Sequence, residues 1–159
     1  MKYEVRDILS VEKGIIAHGV NCHRAMGSGV ALAIKTKWPV IYEEYMDMPL
    51  ERQLNNLGGT QIIYVDEGLF VANCFTQWGF GGQPSDGTRT KHADESAIRN
   101  SLDKVFESAK NHDLSVYLPK IGAGLGGLLW DEEVVPEIEA LEKKYGIEAT
   151  VCLHDPNGK

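Results

Sequence analysis

Two side chains that could do chemistry stand three residues apart, His18 and Asn21. They lie at the end of the apolar run Gly14–Val20 and directly before the stretch Met26-Gly27-Ser28-Gly29-Val30. An imidazole beside an anion site can activate water or donate a proton, and an asparagine can hold a sugar hydroxyl. A strand-end histidine is more often a satisfied structural residue. Weighing against that reading is a second stretch, Lys120-Ile121-Gly122-Ala123-Gly124-Leu125-Gly126-Gly127, with four glycines between Gly122 and Gly127. A plain connection need not carry that backbone-entropy cost. Each stretch belongs to a strand–loop–helix unit, Val20–Ala31 and Leu118–Glu133, so each can aim unpaired amides and a helix N-terminus at one anion. Gly27-Ser28-Gly29 taken alone reads as a turn, because it lacks the third glycine of the dinucleotide spacing and no G-K-[ST] is present.

Other candidates have plainer readings beside the functional one. Trp130-Asp131-Glu132-Glu133 suits a helix start, with acidic residues placed well against the dipole, and Asp7 suits a strand-end cap. Trp78 and Phe80 lie in a glycine-rich stretch, where they either close over a ligand or pack the loop onto the body. His23, His92, His112 and His154 share no metal-ligand spacing and read as surface or structural groups. Cys22, Cys74 and Cys152 are odd in number and far apart, which points to free thiols rather than a disulfide framework or a zinc site. No metal and no cofactor is expected.

These residues must be positioned by a single domain, because 159 residues supply one well-buried core and not two. Strands are expected at Lys2–Arg6, Gly14–Val20, Thr60–Val65, Leu69–Phe75, Ser115–Leu118 and Glu148–Leu153, with a tight turn at Asp66-Glu67-Gly68. Helices are expected from Ser28 to Trp38, where Pro39 interrupts, from Val40 to about Met46, over Leu50–Leu54, from an Asp94 cap through Ala109, and from Asp131 to Tyr145. Gln77–Lys91 reads as a long loop flanking the site. Alternating strands and helices predict an α/β layer architecture with a mixed sheet. A net charge of −7 disfavours a nucleic-acid backbone as partner, yet a small anion can still be held by backbone amides. No apolar run reaches the roughly 20 residues a membrane span needs, and Met1–Asp7 shows no secretory pattern, so a cytoplasmic protein is expected.

In order along the chain, the residues resemble the macro domains, which bind ADP-ribose and its derivatives. Arg6-Asp7-Ile8, Ala17-His18-Gly19-Val20-Asn21, Met26–Ala31, Asn73-x-x-Thr76-Gln77 and Pro119–Trp130 carry the resemblance, and Ile121–Trp130 is its most specific part. The resemblance implies a three-layer α/β/α sandwich around a mixed, six-stranded sheet. It implies that Asp7 accepts from the adenine amino group with Ile8 beside it and that Asn21 addresses the distal ribose. Gly27, Ser28, Gly29 and Val30, together with Gly122, Ala123, Gly124, Leu125 and Gly126, would wrap the diphosphate with backbone N–H groups, and Met26, Lys120 and Ile121 would belong to the same ADP-ribose site.

Two departures bear on chemistry. The glycohydrolase branch of the family uses a lysine where Gln77 stands, and its best-known member an aspartate where Gly126 stands, so a covalent lysyl mechanism is not expected. The strand-end His18 resembles that of stand-alone ADP-ribose-1″-phosphate phosphatases. The expected activity is therefore metal-free hydrolysis of ADP-ribose 1″-phosphate, with His18 activating water or attacking phosphorus, Asn21 positioning the ribose and Asp131 as the assisting carboxylate. The alternatives are an O-acyl-ADP-ribose deacylase or ADP-ribosyl hydrolase, and a non-catalytic module that binds ADP-ribose or an NAD-derived signal. A monomer with a small-molecule ligand is expected.

Overall fold

The computed structural model describes residues 1–154. Six strands, β1 (Lys2–Val5), β2 (Gly14–Asn21), β3 (Thr60–Asp66), β4 (Leu69–Gln77), β5 (Val116–Leu118) and β6 (Thr150–Leu153), form one sheet in the order β1-β6-β5-β2-β4-β3. Only the β3–β4 hairpin is antiparallel. Helices α1 (Gly29–Lys37), α2 (Pro39–Asp47) and α3 (Leu50–Leu54) precede the hairpin, and α4 (Glu95–His112) and α5 (Val135–Tyr145) follow it.

The strand period of two sorts the sheet onto two cores. Ile15 and Ala17 of β2 and Ala72 and Cys74 of β4 pack with Ile98, Leu102, Val105 and Phe106 of α4 and Ile138 and Leu141 of α5. The residues in between, Ile16 and Val20 of β2 and Val71 and Phe75 of β4, pack with Ile34 of α1 and Ile41 and Tyr45 of α2. Helices on both faces of the mixed sheet make the three-layer α/β/α sandwich. Asp94 caps α4 as expected, its carboxylate accepting from the Ala97 amide at 2.9 Å. Among the described residues, no helix is long and apolar enough to cross a membrane.

Two elements differ from expectation for identifiable reasons. The helix expected from Asp131 begins instead as one π-helical turn, Trp130–Val134, and becomes α-helical only at Val135. Pro136 lacks an N–H and its ring would strike the carbonyl four residues back, so α5 takes it in its first turn. The first strand alternates in sequence, yet all four of its residues are exposed, because β1 is an edge paired only with β6. A short 3-10 helix, Ile8–Ser10, follows it.

Candidate functional site

Because β5, β2 and β4 are adjacent and parallel, their C-terminal ends point the same way. The loops after β2 and β5, the two glycine-rich stretches, therefore emerge side by side, in the position where open α/β sheets bind ligands. Between them lies a cleft of about 700 Å³. It brings together His18, Asn21, Met26, Gly27, Ser28, Gly29, Val30, Lys120, Ile121, Gly122, Ala123, Leu125 and Gly126 of the expected site. Four expected residues lie off its wall. Gly124 sits in the second loop without facing the cleft. Asp7 is exposed and accepts from the Leu9 amide at 2.9 Å, capping the 3-10 helix, and Ile8 is buried in the α1/α2 core. Asp131 is exposed on the π-turn, away from His18's cleft, and the assisting-carboxylate expectation is corrected accordingly.

The backbone of both loops is left open to a ligand. None of the amides from Met26 to Ala31 donates to an acceptor among the described residues, and the Ser28 hydroxyl does not cap α1. In the second loop the amides of Gly122, Gly124 and Leu125 are likewise free, while those of Ala123, Gly126, Gly127 and Leu128 are bonded within the loop. Unpaired amides at a helix start make an anion site with no need of side-chain charge. Among the described residues, Lys120 and His18 are the only titratable side chains on the wall, and no carboxylate lines the cleft although the protein carries −7.

His18 is 1 % exposed and its Nε2 lies 2.6 Å from Asn73 Oδ1. Its Nδ1 is enclosed without a partner. Burial pushes the ring's pKa down to about 4, against the hydrogen bond to Asn73, so at neutral pH the imidazole is uncharged. An orphaned buried acceptor costs about 1–3 kcal/mol, which a merely structural histidine need not bear.

Asn21 is held firmly. Its Oδ1 accepts from the amides of His23 (2.9 Å) and Ala25 (3.3 Å), and its Nδ2 donates to the Ala25 carbonyl at 2.8 Å, leaving one N–H uncommitted. Tyr45 of α2, fully buried, sets its hydroxyl 2.6 Å from the Asn21 carbonyl and 3.0 Å from Oδ1. Burial pushes the Tyr45 phenol up, so it remains a neutral donor. Sequence reasoning missed Tyr45, which reads as one more core aromatic. Gly19 and Thr76, which the sequence named only within the resemblance, also lie on the wall, as do Gly81 and Gly82 of the loop expected to flank the site. Thr76, itself buried, is the extra residue of β4 at a register shift beside Val20/Asn21, a bulge that brings it to the wall.

Gln77 lines the cleft, with Nε2 donating to the Gly79 carbonyl at 2.8 Å. A Cβ on Gly126 would lie 3.6 Å from Gln77 Oε1, so these two positions face each other and hold an amide and no side chain. Phe80 is 58 % exposed at the rim. Trp78 is pinned, its Nε1 donating to the Leu54 carbonyl at 2.9 Å and its ring meeting His23 edge-on at 4.2 Å. The loop beyond is strapped to the second glycine loop. Gln83 bonds the carbonyls of Thr90 (2.8 Å) and Leu125 (3.0 Å), and Glu133 takes Arg89 at 2.6 Å, Lys91, and the Leu129 amide at 2.8 Å.

The family model described as the Macro domain matches residues 17–135, a span holding both loops, β5 and the C-terminal part of β2. The ADP-ribose 1″-phosphate phosphatase of Candida glabrata is 29% identical to the chain over 157 residues, covering 84% of each. An uncharacterised 17.5 kDa protein of Enterobacteria phage T4 is 30% identical over 138 residues, covering 82% of this chain and 83% of its own. A solved structure of a protein of unknown function from Bacteroides thetaiotaomicron superposes with a TM-score of 0.77 at 28% identity, covering 96% of both chains. With the two loops, the sheet order and the family match in agreement, the chain belongs to the macro domain family.

Proposed function

We propose that the cleft binds ADP-ribose-type nucleotides and that the protein hydrolyses ADP-ribose 1″-phosphate to ADP-ribose and phosphate. The observation that carries the reading is His18: a buried, neutral imidazole at the inner wall, with an unpartnered Nδ1. The free amides of the two loops hold the diphosphate and face the charge that develops at the reacting phosphate. Water attacks phosphorus as its proton passes to Nδ1, the P–O bond to the ribose breaks, and the proton moves on to the departing ribose oxygen. The name of the Candida glabrata relative supports this choice of substrate. Gln77 stands where the glycohydrolase branch carries its lysine, so no amine occupies that position for a lysyl adduct.

A second reading, ligand binding without turnover, is favoured by one observation: no carboxylate lines the cleft among the described residues, so His18 alone would orient water. Phosphate release from ADP-ribose 1″-phosphate separates the two. A catalyst accelerates hydrolysis by at least about a million-fold, and His18→Ala should abolish that gain while calorimetry still detects ADP-ribose. Binding without release by the wild type leaves the second reading, and an unchanged kcat in His18→Ala removes His18 from the chemistry.

A further inference from the structure

We propose that Asn73 and Gln61 are positioning residues that hold His18 as its Nε2–H tautomer and so keep the Nδ1 lone pair free for the ligand. The inference rests on His18 facing the ligand in the proposed reaction. The sheet register lines the three side chains up across three strands: His18 of β2 stands opposite Asn73 of β4, and Asn73 opposite Gln61 of β3. They form a polar row on the face that otherwise buries Ile16, Val20, Val71 and Phe75.

The direction of every bond in the row follows from carbonyls of α2, which can only accept. Gln61 Nε2 donates to the Glu44 carbonyl at 3.1 Å, so Gln61 turns its Oε1 toward Asn73. Asn73 Nδ2 then donates to that Oε1 at 3.2 Å and reaches the Ile41 carbonyl at 3.5 Å. Its Oδ1 is thereby turned toward His18, at 2.6 Å from Nε2. An amide oxygen carries no hydrogen, so the ring proton must be on Nε2. A neutral imidazole has one such proton, and Nδ1 is left bare. Asn73 is fully buried, and nothing charged competes for its amide: the ring's titration responds to burial and to Asn73 alone. A flip of Asn73 would set an N–H against the ring and draw the proton to Nδ1, closing the lone pair to the ligand.

The tautomer is read directly by long-range proton–nitrogen correlation spectra of protein labelled with ¹⁵N in its histidines, with His18 assigned by its disappearance in His18→Gln. The wild type should show an Nε2–H ring at neutral pH. Gln61→Leu, on the edge strand, removes the nearer of the two acceptors that orient the Asn73 amide and leaves only the Ile41 carbonyl at 3.5 Å, so a population of the Nδ1–H form should appear. Asn73→Leu should enlarge it. In phosphate release, Gln61→Leu should lower kcat about fivefold, the bias of one hydrogen bond, at unchanged KM. An Nδ1–H ring in the wild type overturns the proposal, as does an unmixed Nε2–H ring in Gln61→Leu if Asn73→Leu either does not fold or shows the same. Should the spectra shift as expected while no protein releases phosphate, the positioning roles stand and the phosphatase reading fails.

Discussion

The two glycine loops present free amides to the same cleft, yet they are held from opposite sides. The first is anchored from within: Tyr45 and Asn21, both buried, pin its turn, and Gln53 Nε2 in turn holds the Tyr45 carbonyl at 2.8 Å. The second is anchored from without, by a surface strap in which Gln83, Arg89 and Lys91 of the long loop reach across to Leu125, Gly127 and Glu133. A cradle of this kind has one wall whose geometry depends on desolvated neutral hydrogen bonds and one that depends on close backbone contact and exposed charge. The difference predicts which perturbations each wall feels.

Backbone contact gives the largest expected effect. Gly127 has φ +79°, and a Cβ there would sit 1.9 Å from the Thr90 carbonyl oxygen, inside the strap. Gly27 in the first loop lies outside the positive-φ region, and its Cβ would meet nothing within 4 Å. Gly127→Ala should cost about 3 kcal/mol or more, from strain and overpacking together, and should abolish ADP-ribose binding. Gly27→Ala should leave urea stability within about 0.5 kcal/mol of wild type. Equal tolerance at the two positions would mean that the strap is not seated on the loop.

Acid should divide the two anchors next. The His18 pKa is depressed from 6.5 to about 4, so above pH 6.5 the folded and unfolded rings are both neutral and the burial costs nothing extra. As pH falls from 6.5 to 4 the unfolded ring takes a proton that the folded one refuses, and stability is lost progressively, on the order of 3 kcal/mol in all. Glu133 behaves differently. The Lys91 ammonium, the Leu129 amide and Arg89 hold its carboxyl down to about 2, so its contribution is present above the ordinary carboxylate range and is lost as pH falls through about 2. Between pH 6.5 and 4.5 the interior therefore weakens while the strap stays ionised. Urea unfolding of wild type and His18→Gln over that interval checks this: the variant should lose markedly less stability, and parallel losses would sink the assignment.

The same inside–outside division explains what the sequence made legible. The inner strands announced themselves as apolar runs, α4 by its Asp94 cap and its Ile98, Leu102, Val105, Phe106 and Ala109 stripe, and the loops by glycine density. His18, Asn21 and most of both loops fall on the cleft because a residue next to a strand end in sequence is next to it in space. The residues that aim them do not share that property. Tyr45 comes from 24 positions away and reads as ordinary core, while Asn73, 55 positions from His18, is named by the resemblance without any sign of the side chain it would touch. Asp131 erred the other way: adjacency to Trp130 carried no information about direction, since Asp131 lies exposed on the π-turn. Arg89, Lys91 and Glu133 read as scattered loop charge and a helix start, because an ion pair across 44 residues leaves no local signature.

Removing one hydroxyl sharpens the comparison further. Tyr45→Phe leaves the Asn21 carbonyl unsatisfied in a buried place and should cost about 1 kcal/mol of stability, with a matching fall in ADP-ribose affinity. Because no ion is involved, the ratio of wild-type to variant affinity should be the same at low and at high salt.

Glu133→Gln is the outer counterpart and the smallest effect expected. The amide keeps the size and one acceptor oxygen for the Leu129 amide, but removes the charge that draws Arg89 and Lys91 onto the loop. Exposed pairs of this kind contribute little singly, so ADP-ribose affinity should fall by less than in Tyr45→Phe. The diagnostic is salt, not size. Ions screen Arg89 and Lys91 in the wild type as thoroughly as the substitution neutralises their partner, so the gap between wild type and Glu133→Gln should close as ionic strength rises. The ligand's own charge makes every absolute affinity fall with salt, and only the ratio is informative. A ratio as flat as that of Tyr45→Phe would show that the uncharged bonds, those of Gln83 and those of the His92 and Ala93 amides to the Gly126 carbonyl, hold the second loop without help from the charges.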